Sequence, residues 1–527
     1  MAIRISNLRT PIDEPETALG ERLRTLAGNC GHRILRKALD ARDSHRLEFV
    51  YTLELKGDDD DALFARLSRR SAIKVDHYTE EMFAPPSPGS HPLEHRPIVI
   101  GSGPGGLAAA CFLAEQGYAP LVLERGRPVS QRIRDVAAFD AGGPHDPESN
   151  YLFGEGGAGT FSDGKLTYRS SGPDVRYILE LFAACKGKPS IVYEARPHLG
   201  SNRLPAVVKA MRQRIEAHGG EVRFNCRVED LDIKDGTICG VMTSSGFIPA
   251  TVVLLAIGHS ARDTYEMLAR RGVKLEQKPF QFGVRIEQPQ ETVNRVCYGE
   301  ARLEDQLGAA SYSLVANGQH DLFTFCMCAG GYIMPSVSEP EAFCTNGMSL
   351  SKHDSPYANS GLVVTIPPEH FGGSDPLAGV RLQQHYERIA YQLGGRSYRC
   401  PTQSAQDYLS GRVSAITPKT SYPREMVSVE LRQVLPPLVA DAVADGLPIM
   451  DRRWNGRFLR EATLVGPEAR GSAPIRIVRD EWRMSPGIVG LYPVGEGAGY
   501  AGGIISAAVD GLRSAVAVMA RHALTGR

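Results

Sequence analysis

Three glycine-bearing strings in this sequence carry the residue types and spacing that chemistry needs. The first is RPIVIGSGPGGLAAACFLAEQGYAPLVLERG, residues 96–126, in which Gly101, Gly103 and Gly106 form GxGxxG around Ser102 and Pro104. Ile98 to Ile100 read as a buried strand, LAAACFLAEQG as an Ala/Leu-rich helix, and LVLE as the next parallel strand, ending at Glu124. Gly101 permits the tight turn, Gly103 removes the side chain that would block a pyrophosphate, and Gly106 lets helix and strand pack closely. The helix N-terminus offers unpaired N–H groups and partial positive charge to the phosphates. Glu124, about 20 residues beyond the loop, is placed to accept from a ribose diol. A carboxylate there, rather than an arginine, selects FAD or NAD over NADP. A lone GxGxxG is a weak signal, because a glycine-rich turn can bind nothing; the flanking strand, helix and acid make the case.

The second string, VGEGAGYAGGIISAAVDG at 494–511, is a glycine loop feeding a helix. Here Gly495, Gly502, Gly503 and Ile504 form the turn, Glu496 can accept from a ribityl hydroxyl, and the helix dipole can stabilise an anionic reduced flavin. An NAD-only dehydrogenase has no need of this loop, so the pair favours FAD. The strand TVVLLAIGHSARDT, 251–264, ends in Ala256 and Gly258, small residues that let backbone approach a cofactor. The third string, FGEGGAGTFSDGKL at 153–166, holds five glycines in fourteen residues. Gly156, Gly157, Ala158 and Ser162 give a loop whose N–H groups can converge on an anion or lie flat against a ring.

Candidate reacting and binding side chains follow. Arg125 is placed for adenine stacking and Arg132 for a pyrophosphate contact, with a surface salt bridge as the bland alternative for Arg132. His259 and His353 are general acid/base candidates. Cys326 and Cys328 flank Met327 and, as alternate strand residues, point the same way. Beside a flavin they would be a redox-active pair, otherwise small buried hydrophobes. Arg470 and Arg476 have the fork to bind a substrate carboxylate.

These residues need elements to position them. Residues 1–83 alternate strand-like and helix-like runs: IRISNL, a helix around ETALGERLRTLAG, a second near HRILRKALDAR, then LEFVYTLEL, a helix around DDALFARLSRR and AIKVDHYTEE. They read as a small α/β, ferredoxin-like domain, with a proline-rich linker at 84–95. The Rossmann-type domain occupies 96–275. Short alternating runs between Lys278 and Ile366 predict an antiparallel sheet in a substrate domain, 276–455, with helices near Leu377–Leu393 and Met426–Asp445. The chain returns to the Rossmann domain over 456–527.

Composition excludes several classes. The 60 basic and 60 acidic residues cancel, so no global field draws the chain to nucleic acid or an anionic membrane. No apolar run of about 18 residues predicts a membrane span. The ten cysteines show neither CxxC nor zinc-ligand spacing, which predicts reduced thiols, a cytoplasmic setting and no thioredoxin-reductase-like CxxC disulfide.

The strings KALDARDSHRLEFVYTLEL, NYLFGEGGAGTFSDGKLTYR, FCMCAGGYIMPSVSEPEAFCTNGMS, YANSGLVVTI, CPTQSAQDYL and GLYPVGEGAGYAGGIISAAVDG are similar to those of the bacterial FAD-dependent dehydrogenases, also described as NAD(FAD)-utilising dehydrogenases. The resemblance runs over nearly the whole chain and departs at Ala329 and at residues 469–477. It implies a glutathione-reductase-type FAD domain, interrupted by a substrate domain and preceded by a small extra domain. In that family the third loop runs along the isoalloxazine, which would set Lys165 and Leu166 beside the flavin, with Lys165 raising its potential. The bland alternative for Lys165 is a solvated lysine. Val228 would pair its backbone with adenine.

The expected activity is an FAD-dependent dehydrogenase or reductase acting on a small-molecule substrate at flavin N5, with non-covalent FAD. No second GxGxxG marks a dedicated NADPH domain. A nicotinamide, NAD(P)H, would visit the substrate cleft transiently, or oxygen, a quinone or a protein would be the electron partner. A flavin monooxygenase is the alternative. An RNA-modifying or RNA-binding flavoprotein, with the N-terminal domain as adaptor, has little support from the nine basic and seven acidic side chains of the first fifty residues. The oligomeric state is left open by the sequence.

Overall fold

The computed structural model describes residues 2–42, 46–70, 72–168, 171–299 and 303–524. Residues 43–45 and Arg169 of the strings quoted above lie outside them.

The N-terminal segment folds as β1 (Ala2–Pro11), α1 (Leu19–Ala27), β2 (Gly31–Asp40), β3 (Glu48–Lys56), α2 (Asp60–Ser68) and β4 (Lys74–Tyr78). Its antiparallel sheet has the order β2-β3-β1-β4, the ferredoxin-like βαββαβ arrangement. Leu19, Leu23, Leu63 and Leu67 from the helices bury against Ile3, Ile5, Leu53 and Leu55. Asp59 starts α2 by accepting from Ala62 N at 3.0 Å. The helix expected near HRILRKALDAR is instead β2, paired with β3 from Gly31↔Lys56 to Asp40↔Glu48. Helix preferences of a few tenths of a kcal/mol per residue are outweighed by that ladder. The segment 84–95 is irregular but is stitched down, with Gly89 N donating to Met519 O (2.9 Å) and His91 N to Arg521 O (3.1 Å).

The second unit begins with β5 (Ile98–Ile100), α3 (Pro104–Glu115), β6 (Leu121–Leu123), α4 (Val129–Asp140), α5 (Pro173–Ala184), α6 (Leu204–Ala217) and β7 (Glu221–Arg223). An antiparallel trio, β8 (Val228–Lys234), β9 (Thr237–Thr243) and β10 (Gly246–Pro249), precedes β11 (Val253–Leu255), α7 (Arg262–Arg270) and β12 (Leu275–Gln277). The inserted unit holds β13 (Phe280–Pro289), α8 (Gln290–Tyr298), α9 (Glu304–Leu307), β14 (Val315–Ala316), β15 (Leu322–Cys328), the hairpin β16 (Gly331–Pro335) and β17 (Thr345–Ser349), and β18 (Tyr357–Ile366). It continues through α10 (Ala378–Leu393), β19 (Cys400–Ser404), α11 (Ala405–Leu409), β20 (Met426–Ser428), α12 (Pro437–Arg453) and β21 (Thr463–Glu468). The chain closes with β22 (Ile475–Ile477), β23 (Leu491–Pro493) and α13 (Ile504–Arg521).

Among the described residues the parallel sheet runs β23-β11-β5-β6-β7. Its short strands are nearly all apolar, as sheets covered by helices require. Because β5 is flanked by β11, and β11 by β23, the ends of the 96–126, 251–264 and 494–511 strings emerge side by side at one sheet edge. The inserted sheet runs β14-β15-β18-β13-β21-β19-β20, antiparallel except for β19 with β20. Two boundaries differ from expectation. The helix expected from Met426 starts only at Pro437, because Pro436 and Pro437 break any earlier helix and suit a first turn. The return expected at 456 is later, since β21 still pairs with β13 and the parallel sheet is regained at β23.

Candidate functional site

The glycine strings converge. A Cβ on Gly106 would lie 1.9 Å from Gly101 O, and one on Gly511 would lie 2.0 Å from Gly105 O, so α3 seats against its own loop and against α13 only through glycine. Ala256 packs its carbonyl oxygen 2.4 Å from where a Gly101 Cβ would stand. Gly156 N donates to Ser102 O at 2.9 Å. Gly103 faces Gly157, whose Cα, 4.0 Å from a Cβ built on Gly103, is the nearest atom on that side. A Cβ on Gly157 would in turn meet Gly103 Cα at 3.0 Å, so the two loops touch glycine to glycine beside the N-terminus of α3. Ala158 and Gly159 follow in a short turn (Gly157–Phe161), and a Cβ on Gly159 would lie 3.2 Å from Pro104 and 3.4 Å from Ile504. Gly503 and Ile504, at the start of α13, thus reach the same place, and Gly502 N is held by Ser506 Oγ (3.2 Å).

Glu124 is buried and serves as a hub. One carboxylate oxygen accepts from Ser102 N (2.9 Å) and Oγ (2.6 Å), the other from Gly126 N (2.9 Å) and Gly154 N (3.0 Å). It ties three backbone segments together at the ribose end of the expected dinucleotide. Cys226 N donates to Glu124 O at 2.9 Å, which brings Val228, at the head of β8, to the same end. Arg125 pairs the edge of its guanidinium with Glu148 (2.8 Å) and Asp263 (3.0 Å) and lies 4.2 Å from the Phe153 ring centroid, so an aromatic side chain already covers one of the two faces on which an adenine could stack.

Arg132 is 0% exposed, which rules out the surface salt bridge. It donates to the carbonyls of Asn150 (2.8 Å), Gly154 (3.3 Å) and Glu155 (2.8 Å), while its Nη2 is buried without a partner. Burial lowers its pKa to about 9. With no surface left for a ligand and the Phe161 ring centroid 4.8 Å from its guanidinium, Arg132 clamps the Asn150–Glu155 turn from inside, so it does not reach the expected pyrophosphate.

At the C-terminal string, Gly495 N donates to Asp510 Oδ2 (2.7 Å), and Arg479 clamps that carboxylate. Glu496 Oε1 lies 3.3 Å from His259 Nδ1, and His259 Nε2 is buried without a partner. The turn at Gly258 touches this loop, since a Cβ on Gly497 would meet Gly258 O at 2.5 Å.

Beyond the third loop stands a polar cluster. Lys165 Nζ lies 3.2 Å from Asp163 Oδ2; the lysine side chain is 35% exposed, whereas Asp163 is 1% exposed. Ser349 Oγ donates to Asp163 Oδ1 (2.6 Å), His198 Nε2 is 3.1 Å from Ser349 Oγ, and the His198 and His353 rings sit 4.0 Å apart. The backbone fixes this geometry: Leu166 N donates to Pro197 O (2.9 Å) and Leu199 N to Gly164 O (3.0 Å). Burial opposes charge on both members of the ion pair, but their mutual attraction wins, so Asp163 is shifted down and Lys165 up. Burial, aided by the neighbouring His353, lowers His198 to about 4, so it is neutral near pH 7. His353 Nδ1 lies 2.8 Å from Ala329 O.

Three of the four expected catalytic residues, Lys165, His353 and Cys328, are in or beside this cluster. His259 belongs to the Glu496 loop. Ser162 bonds locally to Gly159 O (2.8 Å) and Leu166 is core. Arg470 is not free for a substrate: it is buried, bonded to Glu387 (2.9 and 2.7 Å) and to Ser338, and Glu387 also receives Arg262 (2.8 Å). Arg476 is exposed, 5.3 Å from the Tyr500 ring. Asp163, His198 and Ser349 were not singled out from sequence. Asp163 stood within the third string, but nothing local marks His198 or Ser349, which arrive from distant segments. Among the described residues no helix is long and apolar enough to cross a membrane.

Residues 279–471 match the model of the FAD-dependent protein, C-terminal domain-like family, and residues 99–159 match an NAD(P)-binding Rossmann-like domain. A protein of Clostridium beijerinckii (strain ATCC 51743 / NCIMB 8052), described as an uncharacterized protein, is 38% identical over 525 residues, 98% of each chain. Among solved structures, glycine oxidase from Bacillus cereus ATCC 14579 is 12% identical over 82% of this chain and 99% of its own, at a TM-score of 0.36. L-proline dehydrogenase from P. horikoshii is 13% identical over 82% and 92%, at 0.32. At those scores the structural likeness speaks for no detail. The chain belongs to one family with the C. beijerinckii protein, and its matches to the two models mark it as an FAD-dependent protein with a Rossmann-like nucleotide-binding domain.

Proposed function

We propose that this protein holds one FAD non-covalently, in the glutathione-reductase manner, and moves two electrons between it and a small organic substrate. When bound, FAD supplies a carrier whose N5 gives or takes a hydride. Gly101, Gly103, Gly106 and Gly157 shape the α3 N-terminus on which the pyrophosphate rests. Glu124 and Val228 bound the adenosine end; Ala256, Gly258, Gly495, Glu496, Gly502, Gly503 and Ile504 bound the ribityl and pyrimidine end. The observation that carries the reading is the Asp163–Lys165 pair, sealed on one side and open on the other, just beyond the glycine cradle. Lys165 presents positive charge to the reacting ring, Asp163 keeps it protonated, and His353 moves a proton at the substrate. NAD(P)H is the candidate transient donor, and reduced thiols suit a cytoplasmic setting.

The test needs no substrate. The midpoint potential of bound FAD is measured in the wild type and in Lys165→Met. Loss of the cation is expected to lower it by about 30 mV or more, equivalent to about 1.4 kcal/mol for a two-electron couple. An unchanged potential with FAD still bound would place Lys165 away from the flavin.

A further inference from the structure

Cys326 and Cys328 are used by nothing above. Both lie at the end of β15, where pairing with β18 shifts register between Phe325 and Cys328. Cys326 has a φ of +44°, a left-handed conformation that a non-glycine residue keeps only where its surroundings enforce it. The twist undoes simple strand alternation. Cys328 is fully buried, and its thiol turns back to donate to Cys326 O at 3.3 Å. The Arg285 guanidinium donates to the same carbonyl at 3.3 Å, and Lys165 is in electrostatic reach of both sulfurs. The hydrogen bond from Cys328 lowers the pKa of Cys326, with Lys165 and Arg285 helping against burial, whereas burial raises that of Cys328. By contrast, burial simply raises Cys111, Cys185, Cys344 and Cys400, as expected of inert core thiols.

We propose that Cys326 and Cys328 are a redox-active dithiol that exchanges two electrons with the FAD, and this rests on the reading of the site given above. On oxidation each thiol loses one hydrogen, one S–S bond forms between the two sulfurs, and the oxidised flavin accepts the two electrons and two protons; reduction is the reverse. The left-handed turn at Cys326 bends the backbone between the two cysteines, and the Cys328 thiol already turns back onto Cys326. The external partner is a thiol or disulfide compound, met at the half-buried Cys326.

The experiment is an anaerobic dithionite titration of the FAD-loaded full chain, with mass spectrometry of air-oxidised protein after alkylation. The wild type is expected to take up about four electrons per FAD, from two two-electron couples, and to yield a peptide in which both cysteines resist alkylation until reduced. Cys326→Ser and Cys328→Ser should each take up about two at unchanged FAD content. Wild-type uptake of about two electrons, with both thiols alkylated directly, would overturn the proposal and leave the FAD reading intact; the wild-type arm decides this even if the variants do not fold. Protein that bound no FAD would overturn both.

Discussion

Arg132 illustrates how a single residue separates binding from folding. It serves folding alone: its three carbonyl contacts and the Phe161 ring 4.8 Å away hold the Asn150–Glu155 turn, and no surface of it is left for a ligand. Arg132→Met is predicted to cost about 1.5–3 kcal/mol of stability without FAD, because three buried carbonyls lose their donor, read by denaturant unfolding. Unchanged stability would show that the Asn150–Glu155 turn stands without this clamp. Gly106 acts on folding too. With Gly101 O 1.9 Å from any added Cβ, Gly106→Ala must push α3 off its strand, so a lower melting temperature is expected even without FAD. A variant melting like the wild type would show that the loop yields more easily than the geometry indicates.

At the scale of elements, α7 of the parallel-sheet unit is tied to α10 of the inserted unit through Arg262 and Glu387, and Arg470 following β21 joins the same carboxylate. Burial disfavours the charged form of Glu387, but the two arginines outweigh it and lower its pKa to about 2. It therefore contributes stability that is present above about pH 4.5 and is lost as pH falls toward 2. Glu387→Gln should cost about 3–5 kcal/mol at neutral pH, because two arginines lose their charge partner, and denaturant unfolding checks this. Glu287 on β13 has the opposite sign. Burial raises it to about 7 despite its bond from Ser421 N at 2.8 Å. The folded state thus holds this proton longer than the unfolded chain, and stability falls as pH rises from about 4.5 to 7, by up to about 3 kcal/mol. Glu287→Gln is expected to raise the melting temperature at pH 8 and to do little at pH 5; equal effects at both would refute the shift.

The strength of the sequence signal followed its range. GxGxxG, its flanking strands and the C-terminal glycine loop with its helix are local patterns, and the structure forms β5, α3, β6 and α13 where they predict them. The strand β2 was misread because its Leu, Arg, Lys and Ala favour helix locally, whereas its pairing with β3 depends on the whole sheet. His198 and Ser349 reach Asp163 from segments far apart in sequence, so only the fold could disclose them. Arg470 had suitable chemistry, but the acid that claims it lies elsewhere in the chain.

At the scale of the whole molecule, the N-terminal domain docks through the edge of β2, where Lys37 N donates to Tyr193 O (2.8 Å) and Ala195 N to Lys37 O (2.8 Å). That segment leads directly to His198, so the domain braces one wall of the reactive cluster. The parallel sheet gathers its glycine loops from residues as far apart as Gly101 and Gly503, and a ligand spanning them would bind the folded chain alone and stabilise it by mass action. FAD titration of apoprotein carrying Gly103→Ala, beside the wild type, tests this most directly. Gly103 has an ordinary φ of −71° and no atom nearer than 4.0 Å to an added Cβ, so the variant should fold and melt like the wild type. One FAD per chain is expected for the wild type, with affinity at least about tenfold weaker, or about 1.4 kcal/mol, in Gly103→Ala. Equal affinity in the two proteins would mean that the pyrophosphate does not rest against Gly103, contradicting the account.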